Sequence, residues 1–349
     1  MFWPYENENE SKNIKDTKKY VNVVRKNDFF TLNEIQISQR ILQIPGYLHR
    51  FNPVLKNSYI NLTQVDNDYF ENCININSEN SYSHILLKKK YVDNTTFLDF
   101  FYRKIENPRE YLLTIINSYK YLLDSIELLN KYSLVNLDIH PSSIIMKDKL
   151  PILVNFEKIL HVPTINEERK RNLLSNYQAK NVFLPLEAHV IYVLNDKFYE
   201  SLSFSNIHTI CDDCEKRLSS LNIFSKTFIK QYKELCVFSL ESFINKPKDF
   251  IINELLKKST TWNNYSLSIL YLILLRDIFK DHEDGFLNNR FISHFFQLLT
   301  MNIHPFDLKR FDIKKNKLLF DNILSNTNKN EFLQLIQNIE SFSKNTKNS

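Results

Sequence analysis

Two glycines in 349 residues, Gly46 and Gly285, are the sharpest shortage in this chain. A loop that wraps phosphates with its own backbone needs glycines close together, because a side chain blocks so near an approach. The region before Gly46 contains none. Cysteine is sparse as well, at Cys73, Cys211, Cys214 and Cys236. So few thiols fit a reducing compartment better than a disulfide framework. Long apolar runs are missing. The longest, "YSLSILYLILL" at 265–275, is too short to span a bilayer and reads as a buried helix. The opening "MFWPYENENESKN" has no apolar stretch fit for a signal peptide. The expectation is a soluble, cytoplasmic protein. An excess of one charge is also lacking: 45 Lys and Arg against 40 Asp and Glu leave +5. Basic runs are short, Lys88-Lys89-Lys90 and Arg169-Lys170-Arg171. A nucleic-acid binder usually shows a denser basic face, so nucleic acid is not the expected partner.

What the chain does have is core-forming material. Hydrophobic residues make up 43% and aromatics 13%, enough for one large core or two modest ones. Residues 1–17 are polar and read as disordered. "KKYVNVVRK" (18–26) alternates and is rich in valine, which predicts a strand. "TLNEIQISQRILQI" (31–44) predicts a helix ended by Pro45-Gly46. "SYINLTQV" (58–65) and "SHILLKKKYV" (83–92) predict two more strands, and "VDNTTF" (92–97) a linker. Then the texture turns helical. Leu112, Ile115, Ile116, Tyr119, Leu122, Leu123, Ile126 and Leu129 mark one face of a long helix. A loop at 133–143 precedes two short strands, "SIIM" and "PILVNF", and residues 195–345 are mostly helical. This predicts an α+β architecture: a small strand-rich part with one helix, a hinge near residue 93, and a larger helical part.

That loop and the short strands after it carry the chemistry. "NLDIHPSSII" lies between the long helix and a strand, with "VNFE" shortly after. In that order these segments resemble the catalytic loop H-R-D-L-K-P-E-N and metal motif D-F-G of eukaryotic-type protein kinases. The chain looks in particular like the divergent kinase-like proteins of large DNA viruses, over roughly residues 18–325. Aligned so, Asp138 stands in the place of the catalytic Asp, Asn136 in that of His, and His140 in that of the phosphate-touching Lys. Ser143 and Asn155 stand where the family holds Mg²⁺, with Phe156 kept and Glu157 in place of Gly. "TLNE" places Glu34 where the family has the Glu that pairs with the ATP-positioning lysine. That lysine would lie in "VVRK", as Lys26 or Arg25, which strand alternation sends to opposite faces. "LPLEAH" (184–189) resembles A-P-E, giving Glu187. "TTWNNYSLS" (260–268) resembles D-x-W-S-x-G with Asn263 in the Asp place, and "NIHPFDLKR" (302–310) resembles D-P-x-x-R, giving Arg310. The resemblance implies a buried ion pair between Glu187 and Arg310.

It also implies a bilobal fold. Residues 18–92 would be a truncated N-lobe and 93–325 a C-lobe with a helical insertion at about 195–258, followed by a C-terminal helix and a disordered tail over 326–349. Only 17 residues precede the first predicted strand, too few for the family's phosphate-covering hairpin. Mg²⁺ wants hard anionic oxygens. Asn155 offers a neutral carbonyl and Ser143 a short hydroxyl, so the predicted cleft floor is uncharged. If the metal supplies several kcal/mol, with about 1.4 kcal/mol per tenfold, phosphotransfer slows by about 10³ or more. Asp138 either orients a substrate hydroxyl or caps the amides of its own loop. His140 is either a polar loop residue or a cation beside an anionic ligand, the latter below about pH 6.5. The stack that Phe156 makes in the family should be weak or rebuilt, since its partners here are Asn136 and Ser38.

These expectations converge on a pseudokinase, a scaffold that binds a protein partner and needs no cofactor. The alternative is an atypical Ser/Thr kinase that uses Asp138, ATP and Mg²⁺, with Glu157 as a substitute ligand. His208, Cys211, Cys214 and Cys236 raise the thought of zinc. "ICDDCEKRL" reads as a helix, however, and free buried cysteines are expected. The 195–258 insertion is a candidate docking surface, whereas "ISHFFQLL" (292–299) reads as core.

Overall fold

The computed structural model describes residues 2–3, 19–61, 84–92, 95–103, 106–175, 180–279 and 289–345. Cys73, Gly285, the hinge near residue 93 and residues 62–65 of one expected strand lie outside them.

The chain begins with a four-stranded antiparallel sheet and one helix. Strand β1 (Phe2–Trp3) pairs with β2 (Tyr20–Lys26), β2 with β4 (His84–Lys90), and β3 (Val54–Ile60) with β4, in the order β1-β2-β4-β3. Two expectations need correction here. Phe2–Trp3 is a strand paired along β2, within the segment read as disordered, the rest of which lies outside the described residues. The third strand begins at Val54, four residues before "SYINLTQV". Its middle residues are polar and exposed, as an edge strand allows, so no alternation marks it.

Helix α1 (Phe29–Ile41) follows β2, with Asp28 accepting the Thr31 amide at its start (2.9 Å). It ends before Gly46, whose φ of +73° is the left-handed conformation that glycine adopts without cost. One edge of α1 meets the sheet where Val54, Ile85 and Leu87 are buried, with Val23 and Ile35 against them. Its buried aliphatic residues, Ile37 and Ile41, join the large core of the helical region.

That region opens with α2 (Phe97–Phe101) and α3 (Pro108–Lys131), the latter capped by Asn107 with proline in its first turn. All eight residues of the predicted apolar face of α3 are buried. Two small antiparallel ladders come next. Strand β5 (Leu134–Asn136) pairs with β8 (Ile159–His161), and β6 (Ile144–Lys147) with β7 (Leu150–Leu153). The strand read in "PILVNF" stops at Leu153, because Asn155 turns left-handed at φ +61°.

Helices then fill the chain: α4 (Glu167–Leu173), α5 (Leu186–Asp196), α6 (Phe204–Ser220), α7 (Lys226–Leu240), α8 (Lys248–Leu256), α9 (Trp262–Phe279), α10 (Arg290–Asn302), α11 (Ile313–Asn326) and α12 (Lys329–Asn345). The last reaches into the tail expected to be disordered. The expected insertion contains α6, α7 and α8. Helix α9 holds the "YSLSILYLILL" run and is buried almost all round. Tyr119 of α3 stacks edge-on against Tyr271 of α9, Phe295 of α10 and Phe320 of α11, at 4.7–4.8 Å between ring centres. Among the described residues no helix is long and apolar enough to cross a membrane. The architecture is α+β, a small antiparallel N-terminal sheet followed by a mostly helical region.

The two parts are joined along a seam. Leu153 accepts the Asn52 amide and donates to the Arg50 carbonyl, each at 3.0 Å. The Arg50 guanidinium donates to the Tyr121 carbonyl (3.0 Å) and lies over the Tyr121 ring (4.2 Å). From α1, the buried Asn33 amide donates to the carbonyls of Glu157 (2.9 Å) and Ile159 (3.0 Å).

Candidate functional site

The loop after β5 lies at this seam. At the end of α3 the chain reverses through Ser133, at φ +56°. Asn263, at the start of α9, fixes the loop from below. Its carbonyl oxygen accepts the Asn136 amide (2.9 Å), and its own amide donates to the Asn130 side chain (3.2 Å). The Asn136 carbonyl oxygen in turn accepts the Asp138 amide (2.9 Å). Its Nδ2 is buried with no hydrogen-bond partner, which costs about 1–3 kcal/mol.

Asp138 does not cap the loop. Asn136 does that, which leaves the Asp138 carboxylate for side chains. Its two oxygens lie 3.3 Å from His140 Nε2 and 3.2 Å from Lys158 Nζ. Burial pushes the Asp138 carboxyl up, but the hydrogen bond and charge of His140, with those of Lys158, outweigh it and hold the group below its usual range. The acid is therefore ionised and enclosed by Lys158 and His140. His140 is more than a polar loop residue: its Nδ1 also accepts the Ser142 amide (3.2 Å).

Ser143 is turned inward. Its buried hydroxyl accepts the His140 amide (3.0 Å) and donates to the His140 carbonyl (2.9 Å). One lone pair and the proton serve the loop, and the residue is fully buried, so the hydroxyl does not face a ligand. Asn155 is half-buried in its left-handed turn. Phe156 is fully buried and packs edge-on against Phe51 (6.4 Å). Ser38 accepts the Val54 amide (3.0 Å).

The lysine expected in "VVRK" is elsewhere. Glu34 is buried and bonds Lys89 Nζ at 2.5 Å. Lys26 is exposed at the end of β2, opposite His84. Arg25 reaches Glu157 at 3.9 Å. Lys89 sits in the short basic run, but alternation along β4 places it on the face of Ile85 and Leu87, toward α1. That pattern was the available signal. Lys158 carried none, since its role depends on the turn at Asn155.

Glu157 stands between these groups. Burial raises its carboxyl pKa; Arg25 opposes the rise, and the carboxylates of Glu34 and Asp138 add to it. The seam therefore carries charge beyond the neutral Asn155 and Ser143 on which the sequence expectation rested. Glu34, Asp138 and Glu157 bring negative charge and Lys89, Lys158 and Arg25 bring positive charge, paired one to one. Among the described residues no cluster of three or more His, Cys, Asp or Glu side chains has the arrangement to hold a metal ion.

Glu187 and Arg310 lie apart from this site. They form a fully buried bidentate pair, with Arg310 Nη1 to Glu187 Oε2 at 3.1 Å and a second bond from Nη2 to Oε1. Burial disfavours the Arg310 charge, but Glu187 outweighs that and strengthens its hold on the proton. The pair ties the first turn of α5 to the segment before α11. No protein-family model and no curated protein sequence matches this chain.

Proposed function

We propose that this chain is a pseudokinase: a protein-kinase-like bilobal scaffold with little or no phosphotransfer, which works by holding a protein partner. The observation that carries the reading is the enclosure of Asp138 by Lys158 and His140. An acid that must orient a substrate hydroxyl needs a free oxygen facing the substrate. Ser143 adds to this, since its hydroxyl is spent within its own loop. The order of elements supports the kinase-like part. A strand leads into a helix whose buried Glu34 pairs with Lys89 of β4, and a long helix leads into the Asp138 loop, which rests on the start of α9.

One observation favours the rival, an atypical Ser/Thr kinase. The Glu34–Lys89 pair is intact, and Lys89 is a cation of the type that would position a nucleotide. Two measurements separate the readings. Thermal unfolding is followed with ATP, with and without Mg²⁺; a ligand at 100 times its Kd would add about 2.7 kcal/mol. Phosphotransfer to generic protein substrates is assayed for the native chain and for Asp138→Asn. The scaffold reading expects no Mg²⁺-dependent stabilisation and no turnover. Turnover that disappears in Asp138→Asn would overturn it.

A further inference from the structure

The richest group of reactive side chains outside the seam lies where α6, α7, α5 and α9 meet. Cys211 and Cys214 sit on one face of α6, with Cys236 opposite them on α7. All three are buried free thiols. The packing of α6 on α7 brings Cys236 to the same buried group as Cys211 and Cys214, and burial and both of those thiols raise its pKa. One turn after Cys214, the guanidinium of Arg217 is buried with it and donates to its sulfur at 2.8 Å. Beside them is a cavity with room for about one water molecule, lined by Cys214, Arg217, His189, Tyr232, Tyr265 and Leu218, among others. Cys211 and Cys236 do not line it.

These three sulfurs are not equivalent. Cys214 is the one beside both the buried cation and the cavity, so it is the sulfur best placed to carry negative charge and to be reached. Its hydrogen bond from Cys236 draws its pKa down; burial opposes this, and Arg217 again favours the thiolate. Burial holds the Cys236 thiol well up, as a protonated neighbour. The cavity excludes a peptide disulfide by size and admits only a small oxidant. The described residues offer no metal site that would claim these sulfurs.

We propose that Cys214 and Cys236 form a peroxide-reactive dithiol site, with Cys214 as the attacking thiolate, held by Arg217, and Cys236 as the resolving thiol. The Cys214 sulfur attacks one oxygen of a small hydroperoxide: an S–O bond forms, the O–O bond breaks, and the departing oxide takes up a proton. The Cys236 sulfur then attacks the sulfenyl sulfur of Cys214. An S–S bond forms, the S–O bond breaks, and water leaves with the proton of Cys236. Two thiols are oxidised, and one hydrogen peroxide is reduced to two waters. The product cross-links α6 to α7.

The test uses the full chain carrying Cys73→Ser, so that only the three buried thiols remain. It is treated with hydrogen peroxide, alkylated under denaturing conditions, and digested for mass spectrometry. The expected product is a Cys214–Cys236 bridge, two mass units lighter than the reduced pair, with Cys211 alkylated. Cys211→Ser should leave the bridge intact. Cys214→Ser and Cys236→Ser should abolish it, and Arg217→Gln should slow its formation about tenfold. Mapping the bridge without these variants does not depend on how well they fold. Three alkylated thiols after peroxide, a bridge through Cys211, or sulfinic acid at Cys214 with Cys236 still free would each overturn the proposal.

Discussion

The sheet has a small apolar cluster of its own, Val54, Ile85 and Leu87. The helical region stacks Tyr119, Tyr271, Phe295 and Phe320 at its centre and buries nearly all of α9 around them. Their ion pairs differ in the same way. Glu187–Arg310 is dry, bidentate and closed. The pairs at the seam range from nearly buried, for Glu34–Lys89, to half in solvent, for Arg25–Glu157. A large core can bury charge for structural ends. A small one borrows rigidity from its neighbour, and its charged groups stay near the surface, where a ligand or a proton can reach them.

Breaking the closed pair should have the largest effect. Glu187→Ala leaves Arg310 buried without its counter-charge, at a cost of about 3–5 kcal/mol. Denaturant unfolding of the whole helical region would read it, and a loss under about 1 kcal/mol would contradict the structural role. Lys89→Met should come next, at about 2–3 kcal/mol, because it strands a buried carboxylate. Here the difference between the regions becomes visible. Hydrogen exchange should quicken in β2 and β4, while the amides of α3 and α9 keep their protection.

Asp138→Asn should give a smaller effect that depends on pH. The carboxyl pKa is lower in the folded chain than in the unfolded one. Its stabilisation is therefore present above the ordinary carboxylate pKa and is lost as pH falls through the lowered folded value. The stability gap between native and variant chains should be widest near neutrality and should close in acid. Urea titrations over that range would show it, and a gap that widens in acid would mean that the folded carboxyl is raised instead. Glu157→Gln should move the other way, gaining slightly at neutral pH, since that carboxyl is raised.

The smallest effect concerns the β6–β7 turn. Asp148 and Lys149 both have positive φ, at +50° and +63°. Lys149→Gly relieves about 1–2 kcal/mol of left-handed strain and loses about 0.4–1 kcal/mol through a freer unfolded chain. The variant also loses the exposed Lys149–Glu110 ion pair, about 0–1 kcal/mol, so a net gain below about 1 kcal/mol should appear as a slightly higher Tm.

Periodicity made α3 and α9 legible, because their burial is one-sided in the first and complete in the second, and apolar spacing records both. The same logic placed the aromatics of α10 in the core. The edge strand β3 escaped, since a strand with exposed polar residues in its middle leaves no pattern. The sequence singled out Glu34, Asp138, His140 and Ser143, which the fold brings to the seam, but not the lysines that pair with the two acids. Lys89 was hidden in a run of three lysines, where only alternation singles it out. Lys158 reaches Asp138 across 20 residues through a turn set by an asparagine in a conformation usually reserved for glycine. Side-chain chemistry can be read from residue type, but who neutralises whom depends on such turns.

A single side-chain amide from α1, that of Asn33, grips two carbonyls of the segment just past Phe156. With Arg50 and Leu153 on the same line, the sheet is sewn to the helices and not merely rested on them. On the scaffold role proposed above, a body sewn in this way would meet its protein partner with a surface that already has its bound shape. Less motion would be frozen out on association, so modest contacts would suffice for durable attachment.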